Sequence, residues 1–308
     1  MTSSKQLKLR IRARMAKTGE RYTTARMHVL GSTATPGLTM IDDHGYPLRG
    51  GSAAEVAAVA NVLTHGEVTR HDGLPLSEAI VFAASGGIGA GYILWEFSHN
   101  RGRHLVLGFR SRWQYPQAWI TTTLERLHVP YEIHTSGGAK GAAGRLTEEL
   151  SAGRPVLVLP DRYLLGYWHL PAHLEAFGGH FVVAYAEADG RVHVDDRNLS
   201  PLTVSRGDLD AARQRVVSYK NLLVSPRPKA GPVADDLLVD AVSAGLRDCA
   251  ERLSATSDSF SIPAWRKWGR LMTDPKNAKG WPTVFADRRG LVGALLSIWE
   301  GTSALGMT

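Results

Sequence analysis

The sequence predicts an α+β protein, in which a helix-rich first half precedes a half built from short antiparallel strands. Three observations carry this. The run Ala53-Ala54-Glu55-Val56-Ala57-Ala58-Val59-Ala60-Asn61-Val62-Leu63-Thr64 is a strong helix former made mostly of small residues. Small side chains let neighbours approach closely, which suits a central buried helix. Apolar, β-prone runs then recur from residue 92 onwards and concentrate between 131 and 224. Finally, Ala186-Glu187-Ala188-Asp189-Gly190 separates two such runs and reads as a hairpin that returns the chain.

In chain order, residues 5–16 and 20–30 read as two short basic helices broken at Thr18-Gly19. Leu7, Ile11 and Met15 form the apolar stripe of the first, and Tyr22, Ala25 and Val29 that of the second. Residues 31–51 are rich in Gly, Thr and Pro and read as a linker or loop. After the helix over 53–64 come a polar loop, a helix over 76–84 and the glycine-rich stretch Ser85-Gly86-Gly87-Ile88-Gly89-Ala90-Gly91-Tyr92. Strands follow at 92–97 and 104–109, with helices at 117–128 and 140–152. Further strands fall at 131–135, 156–159, 180–185, 192–194 and 219–224. Lys229-Ala230-Gly231-Pro232 resembles a linker, and helices are expected at 233–253, 264–272 and 288–299. The expected organisation is a basic helical arm over 1–30, an α+β domain over 31–226 and a helical C-terminal extension over 233–308.

Composition narrows the function classes. At 308 residues there is ample length for a buried core. One cysteine excludes an internal disulfide framework and any cysteine-based metal cluster. No apolar run approaches the roughly 18–20 residues that span a bilayer. The basic N-terminus lacks the features of a signal peptide, so a cytoplasmic protein without membrane attachment is expected. The net charge of +7 is confined to residues 1–30, which hold eight Lys/Arg against Glu20 alone. Nucleic-acid binding by the body is therefore not expected, and only the arm could contact it. The preferred reading of the arm is a docking element with solvated charges. No cofactor is expected, because the glycines run Gly87-x-Gly89-x-Gly91 rather than GxGxxG. No metal site is expected either: His169 and His173 flank Pro171, which opposes a helix holding both on one face.

His180 is the leading catalytic candidate. Gly178-Gly179 before it allow close approach, and the apolar residues after it anchor it at the start of a buried strand. The hairpin brings Asp195 and Asp196 near it, where a carboxylate can fix the tautomer and orientation of the imidazole. Ser52 carries a hydroxyl that His180 could activate, but Ser52-Ala53-Ala54-Glu55 also fits a capping box with Ser52 as N-cap, the preferred reading. Gly87, Gly89, Gly91 and Tyr92 are read as lining a cleft where backbone amides could meet a thioester oxygen or a phosphate. Cys249 lies at helical spacing from Leu238, Val242 and Leu246, on an apolar face where a thiol acts as a small hydrophobe.

The motifs Ala60-Asn61-Val62-Leu63, Leu76-Ser77-Glu78-Ala79 and Gly86 to Tyr92 continue with Pro160-Asp161-Arg162-Tyr163-Leu164. They close with Gly178-Gly179-His180-Phe181-Val182-Val183 and Val192-His193-Val194-Asp195-Asp196. In this order they resemble the butirosin biosynthesis protein H family, whose N-terminal domain is similar to papain-like cysteine peptidases. The helical tail from Val233 resembles that family's C-terminal extension. The resemblance implies a papain-like fold and transfer of an acyl group from a carrier-protein thioester to an amine. By position it makes His180 the general base and Asp196 the orienting acid, with Asp195 the close alternative. It adds Asp161 and Tyr163, beside Gly179, as substrate contacts. The family's nucleophilic cysteine falls near Ala54, where this chain has no thiol. The expected function is an acyltransferase or amidohydrolase of specialised metabolism. It would use Ser52 or a nucleophile borne by the substrate, with an acyl carrier protein, small molecule or peptide as partner. The alternative is a catalytically silent relative that binds such a ligand in the same cleft.

Overall fold

The computed structural model describes residues 8–9, 11–12, 15–16, 40–96, 103–107, 115–170, 179–216, 219–288, 290–292, 294–295 and 298. The chain divides into two units, residues 1–40 and 41–308. In the first, the described residues of the arm are helical, with Ile11 fully buried and Met15 partly so. These are two members of the expected stripe. The break at Thr18-Gly19 and the helix over 20–30 lie outside the described residues.

In chain order the second unit contains α1 (Ala54–His65), α2 (Glu78–Ala84), the hairpin β1 (Tyr92–Glu96) and β2 (Arg103–Leu107), and α3 (Tyr115–Arg126). Next come β3 (Tyr131–His134), α4 (Ala139–Ser151), β4 (Val156–Val158), β5 (Val182–Ala188), β6 (Arg191–Asp195) and β7 (Leu202–Ser205). Then follow α5 (Arg206–Arg215), β8 (Leu223–Pro226), α6 (Asp235–Ser254), α7 (Ile262–Thr273) and α8 (Trp281–Val284). Six strands form one antiparallel sheet in the order β7-β6-β5-β4-β8-β3. The expected α+β class is what the structure contains, with a central helix laid on an antiparallel sheet.

Alternation along the strands explains the layering. Leu157, Leu159, Phe181, Val183 and Tyr185 face the side covered by α1, whose residues Val56 to Leu63 are all buried. Val156, Val158, Val182, Ala184, Val192 and Val194 face the other side, against Leu146 and Leu150 of α4 and Leu209 and Ala212 of α5. Beneath α4, the buried Glu149 carboxylate receives Arg154, Arg227 and Ser225. A third cluster joins β1 and β2 to the C-terminal helices through Tyr92, Leu105, Ala264, Leu271 and Phe285.

Two local expectations are corrected. The strand expected over 219–224 starts instead at Leu223, because Asn221 takes a left-handed turn (φ 56°). The packed face of α6 is Leu238, Ala241 and Gly245, while Leu246 is 54% exposed. Gly245 explains the rotation: a Cβ there would lie 2.0 Å from the Ala83 carbonyl oxygen, so α2 and α6 meet backbone to backbone. Cys249 therefore faces the glycine-rich loop, and its Sγ donates to the Ile88 carbonyl at 3.6 Å. Among the described residues no helix is long and apolar enough to cross a membrane.

Candidate active site

The β5–β6 hairpin turns through Asp189 (φ 51°) and Gly190 (φ 70°), the two left-handed residues of a tight hairpin turn. This brings the residue before β5 and the residues ending β6 to the same end of the sheet. His180 is fixed there by its backbone N–H, which donates to Pro160 O at 2.9 Å. An isolated antiparallel bridge between Asp161 and Gly179 extends the β4–β5 pairing towards it.

Asp196 meets the ring. His180 Nε2 lies 2.7 Å from Asp196 Oδ1, with the imidazole 11% exposed and the carboxylate 4%. The carboxylate only accepts, so Nε2 carries the proton and Nδ1 of the neutral ring keeps its lone pair. Tyr167 donates its hydroxyl to Asp196 Oδ2 at 2.9 Å. Trp168 stands edge-on to the His180 ring, with centroids 5.1 Å apart. These two aromatics follow a short 3-10 turn at Arg162–Leu165, where the Asp161 carboxylate accepts from the Tyr163 N–H. Burial pushes the Asp196 carboxyl up, but His180, the Tyr167 bond and the Arg197 charge outweigh it and hold the group below its ordinary value. The same burial and the Asp196 charge push the Tyr167 phenol well up.

Asp195 turns elsewhere. Its Oδ2 accepts from Tyr46 at 3.0 Å and from Asn61 of α1 at 2.8 Å, and its Oδ1 accepts from the Arg197 N–H at 2.9 Å. Burial dominates here and raises the carboxyl, although these three bonds oppose it. Of the two aspartates, the structure thus places Asp196 on His180 and Asp195 under α1.

The start of α1 is not capped as the sequence suggests. The N-cap is Ala53, without a side-chain cap, and the Ser52 hydroxyl makes no hydrogen bond among the described residues. Glu78 does the capping from α2: its carboxylate accepts from Ser52 N (3.0 Å) and Ala53 N (2.6 Å). On the other side, Arg197 Nη1 donates to Ser52 O at 3.1 Å. Ala54 is the first residue of the helix. Neither Ser52 nor Ala54 bonds to the His180 ring.

The glycine-rich loop lies against α6. Arg252 Nη2 donates to Gly86 O at 2.5 Å, and a Cβ on Gly87 would sit 3.2 Å from Cys249 Sγ. Gly89 and Gly91 are buried. Tyr92, expected to line a cleft, is 2% exposed in the third cluster, where its hydroxyl accepts from Trp281 Nε1 at 3.2 Å. Ser85 at the start of the loop borders a cleft of about 400 Å3 with Trp119, Asp248, Arg252 and Phe260. None of Gly87, Gly89, Gly91 and Tyr92 bonds to the His180–Asp196 pair. Asp161 is buried and ion-paired to Arg215 at 3.3 Å. His173 and Gly178 lie outside the described residues.

Sequence reasoning missed Tyr46, Asn61, Glu78 and Arg197 as parts of this region. Asn61 carried a signal, being the one polar residue in the apolar run from Val56 to Leu63. Arg197 directly follows the paired aspartates. Nothing local to Glu78 or Tyr46 betrays a partner 25 or more residues away.

A buried helix on an antiparallel sheet, with a His–Asp pair at one hairpin end, defines an α+β domain. Residues 60–197 match the family model described as "Butirosin biosynthesis protein H, N-terminal". This segment is a butirosin biosynthesis protein H-like N-terminal domain. The match begins inside α1, so Ser52 and Ala54 precede it. A comparison with curated proteins finds no match. Among solved structures, the chain is similar to a protein described as a C39-like peptidase from Bacillus anthracis. That similarity is 13% identity over 58% of this chain and 90% of the other, with a TM-score of 0.36.

Proposed function

We propose that this domain catalyses acyl transfer from a thioester by general-base catalysis, with His180 as base, Asp196 as its orienting acid, and no acyl-enzyme. The observation that carries this reading is the 2.7 Å bond from His180 Nε2 to a buried carboxylate held below its ordinary range. That bond leaves Nδ1 as the basic atom. The start of α1 supports the second half of the reading: Ala54 offers no nucleophile, and the Ser52 peptide is tied by Glu78 and Arg197.

The step balances without a protein nucleophile. An acceptor amine attacks the thioester carbonyl as His180 Nδ1 takes its proton. The C–N bond forms, the C–S bond breaks, and the departing thiolate recovers the proton from His180. The donor would be an acyl or aminoacyl group on a carrier protein or a small thiol, and the acceptor an amine of specialised metabolism. Pantetheine and N-acetylcysteamine aminoacyl thioesters, offered with a panel of amines, test it by thiol release and intact-protein mass. The reading predicts thiol release dependent on acceptor and His180, with no covalent adduct. A stable acyl adduct on Ser52 would replace it with a serine mechanism.

A second reading is favoured by the Glu78 carboxylate on the Ser52 and Ala53 amides: a silent relative that binds a peptide, carrier protein or metabolite. Thioester binding with no His180-dependent turnover would select it.

A further inference from the structure

We propose that Arg197 is a positioning residue for the His180–Asp196 pair, locking the start of α1 to it; this role rests on the general-base reading above. Arg197 reaches three parts of the site at once. Its backbone N–H donates to Asp195 Oδ1 at 2.9 Å, and its Nη1 donates to Ser52 O at 3.1 Å. Its Nε lies 3.8 Å from Asp196 Oδ1, the same oxygen that meets His180 Nε2.

That last contact acts by charge and not by a hydrogen bond, since the buried Nε makes none. Asp196 therefore keeps its lone pairs for His180 and Tyr167, while the guanidinium helps hold the carboxyl ionised. The surroundings are built to seat this side chain. Arg197 adopts a left-handed backbone (φ 64°), which costs a side-chain-bearing residue energy and persists only where neighbours enforce it. Asn198 enforces it by accepting the Asp196 N–H at 2.7 Å and donating to Ser200 O at 2.7 Å. Gly51 is pressed into the same contact: a Cβ there would lie 2.3 Å from the Ala57 Cβ and 3.5 Å from Arg197 Cγ. The Ser52 peptide is thus gripped from both sides, its amide by Glu78 and its carbonyl by Arg197. Any donor or acceptor site at the start of α1 is then registered to the base.

Arg197→Gly isolates the side chain, because glycine adopts this backbone without strain. In the full-length protein, acyl-thioester turnover should fall about 10²-fold in kcat, the scale of a misplaced catalytic group, with KM nearly unchanged. Added guanidinium ion should restore part of the rate to Arg197→Gly, and Arg197→Lys should retain part of it. The hydrogen-bonded imidazole N–H resonance of His180, read by proton NMR, should be sharp in the native protein and broadened in Arg197→Gly. Thermal unfolding of each variant reports whether the fold survives. Native kcat and an unchanged resonance in Arg197→Gly, beside an inactive His180→Ala, would overturn the role of Arg197 alone. An active His180→Ala would overturn the general-base reading instead, and the resonance would then decide whether Arg197 positions the ring.

Discussion

Asp195 and Asp196 are neighbours in the chain with different partners: Asp195 bonds Asn61 and Tyr46 beneath α1, and Asp196 bonds His180 and Tyr167. Alternation at the end of β6 separates them, so one carboxylate anchors the helix and the other holds the His180 ring.

The two should separate by measurement. Asp196→Asn removes the acceptor that fixes the His180 tautomer and is expected to lower turnover by about 10²–10⁴-fold. Asp195→Asn should leave the rate near native and change stability, by about 1–3 kcal/mol for disturbed buried hydrogen bonds. Their pH signatures have opposite signs. Asp196 has a depressed carboxyl, so its stabilisation is present above the ordinary value of 3.8 and is lost as pH falls through its folded value. Asp195 has a raised carboxyl, so its contribution declines as pH rises from 3.8 through its folded value. Urea titrations of both variants across acid pH check this.

Glu149 provides an acid-sensitive tie outside the site. Burial alone would raise its carboxyl, but bonds from Arg227, Arg154 and Ser225 bring it to about 2. Its stabilisation is present above the ordinary value of 4.5 and is lost as pH falls from there towards about 2. Glu149→Gln removes the charge that Arg154 and Arg227 share, although Arg227 keeps Glu132 at 3.3 Å, and should cost about 1–3 kcal/mol at neutral pH. The gap from native should narrow below pH 4.5, read by denaturant unfolding. A gap independent of pH would show that the charge is not what matters.

The cap on α1 yields a contrast. Ser52→Ala should change stability by less than about 0.5 kcal/mol, because the hydroxyl caps nothing. Glu78→Ala frees the Ser52 and Ala53 amides and should cost about 1–2 kcal/mol. Chemical denaturation of the two variants decides which residue caps the helix.

Gly245→Ala tests the close approach of α6 to α2. Helix propensity alone would favour alanine by about 1 kcal/mol. The 2.0 Å approach of its Cβ to Ala83 O should reverse that sign, with a net loss of about 1–3 kcal/mol. A raised unfolding temperature would contradict the packing.

The fold was largely legible because its signals are local. The small-residue helix, the strand runs and the Ala186–Gly190 return each carry their own pattern. Helix α5 escaped because only Leu209 and Ala212 mark its buried apolar face, although Ser205, which accepts from Asp208 N, was a readable start. His180 and the paired aspartates were legible from a single hairpin. The cap, the clamp on Ser52 and the true face of α6 were not, because each depends on a residue distant in sequence: Glu78, Arg197 and Ala83. The Ser52-x-x-Glu55 pattern was present but lost to a carboxylate from another helix, which reaches the same amides.

The most direct test of the account is thiol release from an aminoacyl thioester by native protein and His180→Ala, with intact-protein mass recorded on both. The account predicts acceptor-dependent release that falls at least about 10²-fold in His180→Ala, with an unchanged protein mass throughout. Equal release by the two proteins would contradict it.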